Sequence, residues 1–376
     1  MAAGPGGVEG LVMFSNTYAG RRVLVTGHTG FKGSWLCLWL RRLGARVCGL
    51  GLEPGTEPAH YTLCAPDVYS WIADIRDFES VLQVLRWFQP ELVLHLAAQS
   101  LVRYSYSFPL QTLGSNVLGT AHVLEACRSV DSVRAVLCIS SDKCYEHPEQ
   151  TCREADPLGG TDPYSASKAC SELIVSAYRG SYFQPEAFSQ RHQTLVASAR
   201  AGNVIGGGDW GQDRLIPDIM RAVGSGQEAR IRNPQAVRPW QHVLEPLSGY
   251  LLLGQYLLQG WREMARAWNF GPECGQEVTV AQLVGLLQKS WQEISFDCSR
   301  DWDGPPEAAL LRLDSSQARQ HLGWSMVWDL QSAVHKTVQW YQEYYKHGSL
   351  LSQQQLEDYM RQARKLELPW AMDQEG

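Results

Sequence analysis

The sequence is short of most features that would take it away from ordinary globular chemistry. No apolar run approaches the ~20 residues that a membrane-crossing helix needs. There is no C-x-x-C pair and no Cys/His cluster at zinc-like spacing, so no metal is expected. The ten cysteines read as scattered small hydrophobes, several inside apolar runs such as Val136-Leu137-Cys138-Ile139. Positive charge is in deficit: 33 Lys and Arg against 39 Asp and Glu leave a formal charge of −6, and the global basic field that gathers nucleic acid is missing. Local arginines can still serve an anionic small molecule. Charged residues are only 19% against 44% hydrophobic, which excludes a disordered chain. Internal repeats are absent. The first dozen residues are Gly/Ala-rich, without a basic residue or an apolar core, so they do not read as a secretory signal. Residues 1–14 are expected to be a disordered leader with Met13 as an alternative start, and the protein is expected in the reducing cytoplasm.

What is present is an alternation. Arg22-Val23-Leu24-Val25-Thr26 is a short β-branched run consistent with a buried parallel strand. A helix follows over Ser34 to Leu43, with Gly44 as its stop, and then a strand over Ala45 to Leu52. The cycle continues with helices at Asp77 to Phe88, Asn116 to Cys127 and Tyr164 to Tyr178. Strands are expected at Leu92 to Ala97, Ala135 to Ser140 and Leu195 to Arg200. After about Val204 the pattern loosens, with helices at Ile216 to Val223, Val243 to Leu258, Val280 to Trp291 and Leu330 to Tyr345. The class is α/β: a Rossmann-type doubly wound parallel sheet with a smaller C-terminal substrate-binding lobe.

Between the first strand and first helix lies Thr26-Gly27-His28-Thr29-Gly30-Phe31-Lys32-Gly33. Its glycines allow a tight turn, close approach of backbone to a pyrophosphate, and close helix–strand packing. The helix N-terminus adds free N–H groups for the phosphates. Glu53, twenty residues after Gly33, can accept from the adenosine ribose hydroxyls and repel a 2′-phosphate, favouring NAD over NADP; a solvated loop acid is the plainer alternative. Asp74 can reach the adenine, or can instead cap the next helix.

Tyr164-Ser165-Ala166-Ser167-Lys168 places a phenol and an ammonium at i and i+4 on one helix face. An ammonium beside a phenol lowers the phenol pKa, so that a phenolate can take the proton from a sugar hydroxyl while hydride leaves for a nicotinamide. A preceding strand ends in Ser140-Ser141-Asp142-Lys143.

These stretches, with His95-Leu96-Ala97-Ala98-Gln99, Asp156-Pro157-Leu158-Gly159-Gly160, Arg200-Ala201-Gly202-Asn203-Val204-Ile205-Gly206-Gly207-Gly208-Asp209-Trp210, Val237-Arg238-Pro239-Trp240-Gln241-His242-Val243 and Trp268-Asn269-Phe270-Gly271-Pro272, resemble the extended short-chain dehydrogenases/reductases. Within them the chain is most similar to the CDP-glucose 4,6-dehydratases, from about Phe14 to Tyr345. Asp142-Lys143 is the most specific match, since dTDP-glucose dehydratases carry Asp-Glu there. The resemblance implies a tightly bound NAD held by Gly27, Thr29, Gly30, Phe31, Lys32, Gly33, Glu53, Asp74, Ile75, Ala97, Ala98, Gln99, Tyr164 and Lys168. It implies that Ser141 hydrogen-bonds the C4 oxygen, Tyr164 is the C4 base tuned by Lys168, Asp142 protonates the departing C6 hydroxyl, and Lys143 takes the place of the C5 base. A lysine is a base only when neutral. Lys143 can equally stay charged and stabilise an enolate, or pair with Asp142 or Glu146.

For a nucleotide-sugar substrate, Arg238, Arg232 and Arg214 are the candidate phosphate contacts, Asn203 a donor, and Gln99 and Ser100 the residues facing the hexose. Tyr104 stands where the family pattern suggests a second arginine. His95 and His242 read as packed histidines, and Trp340, Tyr341, Tyr344 and Tyr345 as core or dimer surface. The NAD-binding domain is expected over 15–204, with segments around 243–270 returning to it. The lobe takes 205–242 and 271–346, and 347–376 form a peripheral helical tail. A homodimer, or a dimer of dimers, is the partner implied, with no nucleic acid and no membrane. A nucleotide-sugar 4-epimerase of the same superfamily, or a non-catalytic NAD-sensing scaffold, are the alternative functions.

Overall fold

A computed structural model of the chain describes residues 12–298 and 310–372. Seven strands form one parallel sheet: β1 Arg22–Thr26, β2 Arg46–Gly51, β3 Tyr69–Ile72, β4 Leu92–His95, β5 Ala135–Ile139, β6 Leu195–Ala201 and β7 Ala267–Phe270. Their spatial order is β7-β6-β5-β4-β1-β2-β3. β1 is central, with Val25 opposite Gly49 on one side and Leu94 on the other. The order reverses between β1 and β4, and in such sheets a crevice opens beyond the carboxyl ends of the strands at that point.

Side chains alternate across the sheet, so β1 feeds two cores. Val23 and Val25 join Trp35, Trp39, Leu94, Leu137, Leu247 and Trp268 on one face. Leu24 joins Cys48, Leu85, Val93, Leu124 and Val136 on the other. Helices α1 Phe31–Arg42, α2 Phe78–Phe88, α3 Gly119–Arg128 and α4 Pro163–Ser181 connect the strands. Caps set two of their starts: Asp77 accepts from Glu79 N at 3.2 Å, and Asp162 from Ser165 N at 2.9 Å. α2 then turns Val81, Leu82, Val84, Leu85 and Phe88 inward.

After β6, helices α5 Leu215–Gly224, α6 Leu244–Leu258, α7 Val280–Ser290, α8 Leu330–His347 and α9 Ser352–Lys365 follow. α6 lies on the sheet, and β7 pairs with β6 through Trp268 and Ala199. The antiparallel pair Val237-Arg238 with Val278-Thr279 carries Arg238 towards the crevice.

Three expectations are corrected here. The tail is not peripheral: Tyr359 and Trp370 are fully buried, and Trp370 stacks on Phe14 with ring centroids 5.0 Å apart. Residues 1–11 of the expected leader, and 373–376 of the tail, lie outside the described residues. Met13 and Phe14, placed in the leader, are core residues. β3, the exposed edge strand, was not expected at all. Trp340 and Tyr341 are core, one of the two places expected for them. Among the described residues no helix is long and apolar enough to cross a membrane.

Candidate active site

The crevice is a cleft of about 740 Å³ at the carboxyl ends of β1, β4, β5 and β6. The glycine loop forms its floor. Gly27 has φ +73°, and a Cβ there would lie 2.8 Å from the backbone of Ala97. A Cβ on Gly33 would sit 2.1 Å from the Gly27 carbonyl oxygen, so α1 presses directly on the turn. Gly30 precedes α1 without a side-chain cap, leaving the first-turn N–H groups free to meet an anion. This glycine cradle and open helix end fit the pyrophosphate of a dinucleotide.

Thr29, Phe31 and Lys32 also line the cleft, as do Asp74, Ile75, Ala97, Ala98 and Gln99. Thr29 Oγ1 donates to Leu52 O at 2.7 Å. Burial and the nearby charges of Arg214 and Lys168 push Lys32 down to about 8. Glu53 is not brought in. β2 ends at Gly51, Leu52 takes the place on the wall, and Glu53 faces solvent. Asp74 does not cap α2, which Asp77 does; its Oδ2 accepts from Arg76 Nε at 2.8 Å and Nη2 at 2.6 Å. Gln99 lines the cleft, but its amide is committed to its own loop, with Nε2 donating to Thr112 Oγ1 at 2.9 Å and Oε1 accepting from Leu101 N.

Ser141, Asp142 and Lys143 leave β5 in a single short turn. Ser141 Oγ accepts from Lys143 N at 3.3 Å and donates to Asp142 Oδ1 at 3.0 Å. Asp142 is 4% exposed and its Oδ2 has no partner. Burial raises its pKa against the opposing pull of Lys143, Ser141, Arg238 and Lys32. Lys143 lines the cleft, and among the described residues it forms no ion pair with Asp142 or Glu146. Tyr164 and Lys168, on α4, are each 6% exposed. Burial pushes the Tyr164 phenol up to about 12, outweighing the Ser141 hydroxyl beside it, and pushes Lys168 down to about 8. The expectation that Lys168 lowers the phenol is therefore corrected for the protein alone: desolvation dominates both groups.

The opposite wall carries Ser100, Asn203, Arg214, Arg232 and Arg238. Arg238 is buried and donates to Val237 O at 2.9 Å. Arg214 bridges Asp209 at 3.0 Å and Ser100 Oγ at 2.6 Å. Arg232 meets Asp213 Oδ1 at 3.3 Å and its carbonyl at 2.8 Å, and Arg103 joins the same carboxylate. Sequence reasoning missed these counter-ions, Asp209 and Asp213, and missed Arg103. They lie in or across from the loop after Gly208, where only an acid five residues before Arg214 hinted at pairing. Tyr104 also lines the cleft, its ring 4.6 Å from that of Phe108. His95 and His242 are buried and pushed by desolvation to about 3, so both are neutral.

A model of the GDP-mannose 4,6 dehydratase family matches residues 24–337. A CDP-glucose 4,6-dehydratase from Salmonella typhimurium is 46% identical over 354 residues, covering 92% of this chain and 98% of that protein. A dTDP-glucose 4,6-dehydratase from Xanthomonas campestris is 26% identical, covering 85% of this chain and 92% of its own length. Among solved structures, a dTDP-glucose 4,6-dehydratase from Streptomyces venezuelae with NAD bound is 26% identical. It matches with a TM-score of 0.71, covering 86% of this chain and 97% of that one. A UDP-glucose 4-epimerase from Thermus thermophilus in complex with NAD, also 26% identical, matches at 0.72, covering 85% and 99%.

Proposed function

The chain belongs to the GDP-mannose 4,6 dehydratase family, and from that premise we propose that it is an NAD-dependent hydro-lyase converting CDP-glucose to CDP-4-keto-6-deoxyglucose and water. The observation that carries the reading is the buried Asp142 carboxyl, with a free Oδ2, lying beside Lys143 in the cleft that also holds Tyr164 and Lys168. The 46% identity to the Salmonella CDP-glucose enzyme supports the choice of nucleotide.

An NAD held by the glycine loop, Tyr164 and Lys168 would supply hydride acceptance from C4 and hydride return to C6. The chain does the rest. Tyr164 accepts the C4 hydroxyl proton while Ser141 hydrogen-bonds the C4 oxygen. A phenol near 12 is protonated at neutral pH, so the ammonium of Lys168 has to stabilise the phenolate for it to act as the base. Asp142, whose pKa burial raises, is the acid that donates its proton to the departing C6 hydroxyl. Lys143 acts at C5: neutral, it removes the proton acidified by the C4 ketone, as the ammonium so formed it stabilises the enolate, and it returns that proton to C5 as hydride reaches C6. Arg238, Arg232 and Arg214 hold the diphosphate, which displaces Asp213 and Asp209 from the last two.

We place the enzyme in the cytoplasm, a setting that suits its ten free thiols. We also propose a homodimer with its face on α3 and α4, where Leu118, Leu173 and Tyr182 are more than half exposed.

The test is a product assay with CDP-glucose, dTDP-glucose, UDP-glucose and GDP-mannose separately, following the alkaline ultraviolet absorbance of a 4-keto-6-deoxy sugar. Selective signal with CDP-glucose is expected. Signal with another nucleotide keeps the chemistry and removes the base assignment, and C4-inverted sugar without the keto product replaces the reading with an epimerase.

A further inference from the structure

Adjoining the cleft, and sharing Lys168, Ser140, Ala97, Ala98 and Ile139 with it, lies a small chamber of about 10 Å³. That is room for about one water molecule. Its walls are unusually polar for a site beneath a parallel sheet, with Lys168, Glu172, Ser140, His95, Asn116 and Ser198 all reaching it. Lys168 lines both this chamber and the catalytic cleft.

Glu172 stands four residues after Lys168 on α4, one turn further along the face that carries Tyr164. It is 4% exposed. Its two oxygens are used differently. Oε2 accepts from Ser198 Oγ and from Arg200 Nη2, both at 2.8 Å. Oε1 is buried with no partner, and so is Ser140 Oγ. A buried carboxylate oxygen without a donor costs free energy comparable to a lost charged hydrogen bond, so it needs one. No direct ion pair joins Glu172 to Lys168 among the described residues. The chamber between them supplies both the space and the polar partners for a bridge.

We propose that Glu172 is a positioning residue for Lys168: through one water held in this chamber, its free Oε1 supplies the counter-charge that keeps the lysine an ammonium beside Tyr164. Electrostatics support the geometry. Burial lowers Lys168, and the groups that oppose this are Cys144, Glu172 and Cys138. Both thiols are themselves pushed far above their usual range by burial, so they are uncharged near neutrality. Glu172 is the one anion of the three. The Arg200 pair fixes the carboxylate in place, and Tyr145, which accepts from Arg200 Nη1 at 2.8 Å, anchors that arginine in turn. The consequence for turnover rests on the dehydratase reading of the cleft; the effect on Lys168 does not.

The chain has only seven lysines, so lysine labelled with carbon-13 at Cε gives few signals, and Lys168 is assigned by its loss in Lys168→Arg. In the intact protein Lys168 should titrate near the value of about 8. Glu172→Gln should lower that midpoint by about one unit, a tenfold loss of ammonium at a given alkaline pH. The alkaline limb of turnover should move down with it, and Glu172→Asp should restore most of the shift. A purely structural role would lower the melting temperature and leave the midpoint where it was, and that result overturns the proposal. Should Glu172→Gln not fold because it strands Arg200, Ser140→Ala decides. It removes a wall oxygen that makes no bond to protein, and should lower the midpoint by a few tenths of a unit; no movement overturns the proposal equally. An intact protein that titrates as expected yet forms no product would sink the dehydratase reading and leave this one standing.

Discussion

Replacing Asp142 by Asn alters chemistry with almost no change of shape. The amide oxygen can still accept the Ser141 hydroxyl, now at 3.0 Å from Oδ1, so the turn after β5 should hold. What disappears is a proton. The carboxyl is 4% exposed, its Oδ2 is unpartnered, and burial lifts its pKa despite the cations of Lys143, Arg238 and Lys32 around it. A group in that state is an acid awaiting a leaving oxygen. General acid catalysis is worth roughly 10²–10⁴-fold, or about 3–5 kcal/mol of barrier. Asp142→Asn should therefore slow water loss by about that factor while C4 oxidation stays within about threefold of normal, since Tyr164 is untouched. In a single turnover with excess enzyme, the near-ultraviolet absorbance of reduced cofactor should rise at the normal rate and then persist. Decay at the normal rate would remove Asp142 from the acid role. Failure of the absorbance to rise at all would move it to the oxidation step.

Three further outcomes are expected. Tyr164→Phe should abolish C4 oxidation while NAD stays bound, measured by calorimetric titration with NAD and by the absence of any reduced-cofactor transient. Trp370→Ala removes a fully buried ring that stacks on Phe14 and meets Trp39, and should cost about 3–5 kcal/mol in denaturant unfolding; a loss under about 1 kcal/mol would mean that the tail is not docked. Glu245 is pushed up to about 7 by burial, although Tyr359 donates to it at 2.7 Å and the N–H groups of Val327 and Trp328 at 2.9 Å. A folded-state pKa above its ordinary value means that its contribution is complete below about pH 4.5 and is lost as pH rises through about 7, worth about 3 kcal/mol. Melting temperature should fall between about pH 4.5 and 7.5 and level off above it, and Glu245→Gln should flatten that fall.

The parts of the site legible in the sequence are those set by spacing along one element. The glycine loop between β1 and α1, and the Tyr164–Lys168 pair on α4, are both local geometry. Glu53 was misplaced because β2 stops at Gly51, and from there the wall continues through Leu52. β3 escaped notice because an edge strand, here Tyr69 to Ile72, has one neighbour and no need of a continuous apolar run. α9 looked peripheral because its glutamines dominate the composition; its buried face is Gln355, Leu356, Tyr359, Met360 and Ala363, a helical stripe that a count of polar residues hides. The basicity of Tyr164 could not be read from Lys168 alone, since desolvation depends on residues far away in the chain. The same holds for Arg214 and Arg232, whose partners Asp209 and Asp213 sit across a loop.

The stacking of Trp370 on Phe14 has a consequence for how the chain comes off the ribosome. α1 carries the glycine cradle at its front, while Trp39 on its back is lined by Phe14, Tyr359 and Trp370. Tyr359 and Trp370 follow Phe14 by 345 and 356 residues of synthesis. Until the final helix has emerged, the helix that starts the cofactor cradle has an uncovered aromatic back. The support of the dinucleotide site thus waits for Tyr359 and Trp370, and a translation product truncated before them should be unable to retain cofactor even though every residue that lines the cleft has already been made.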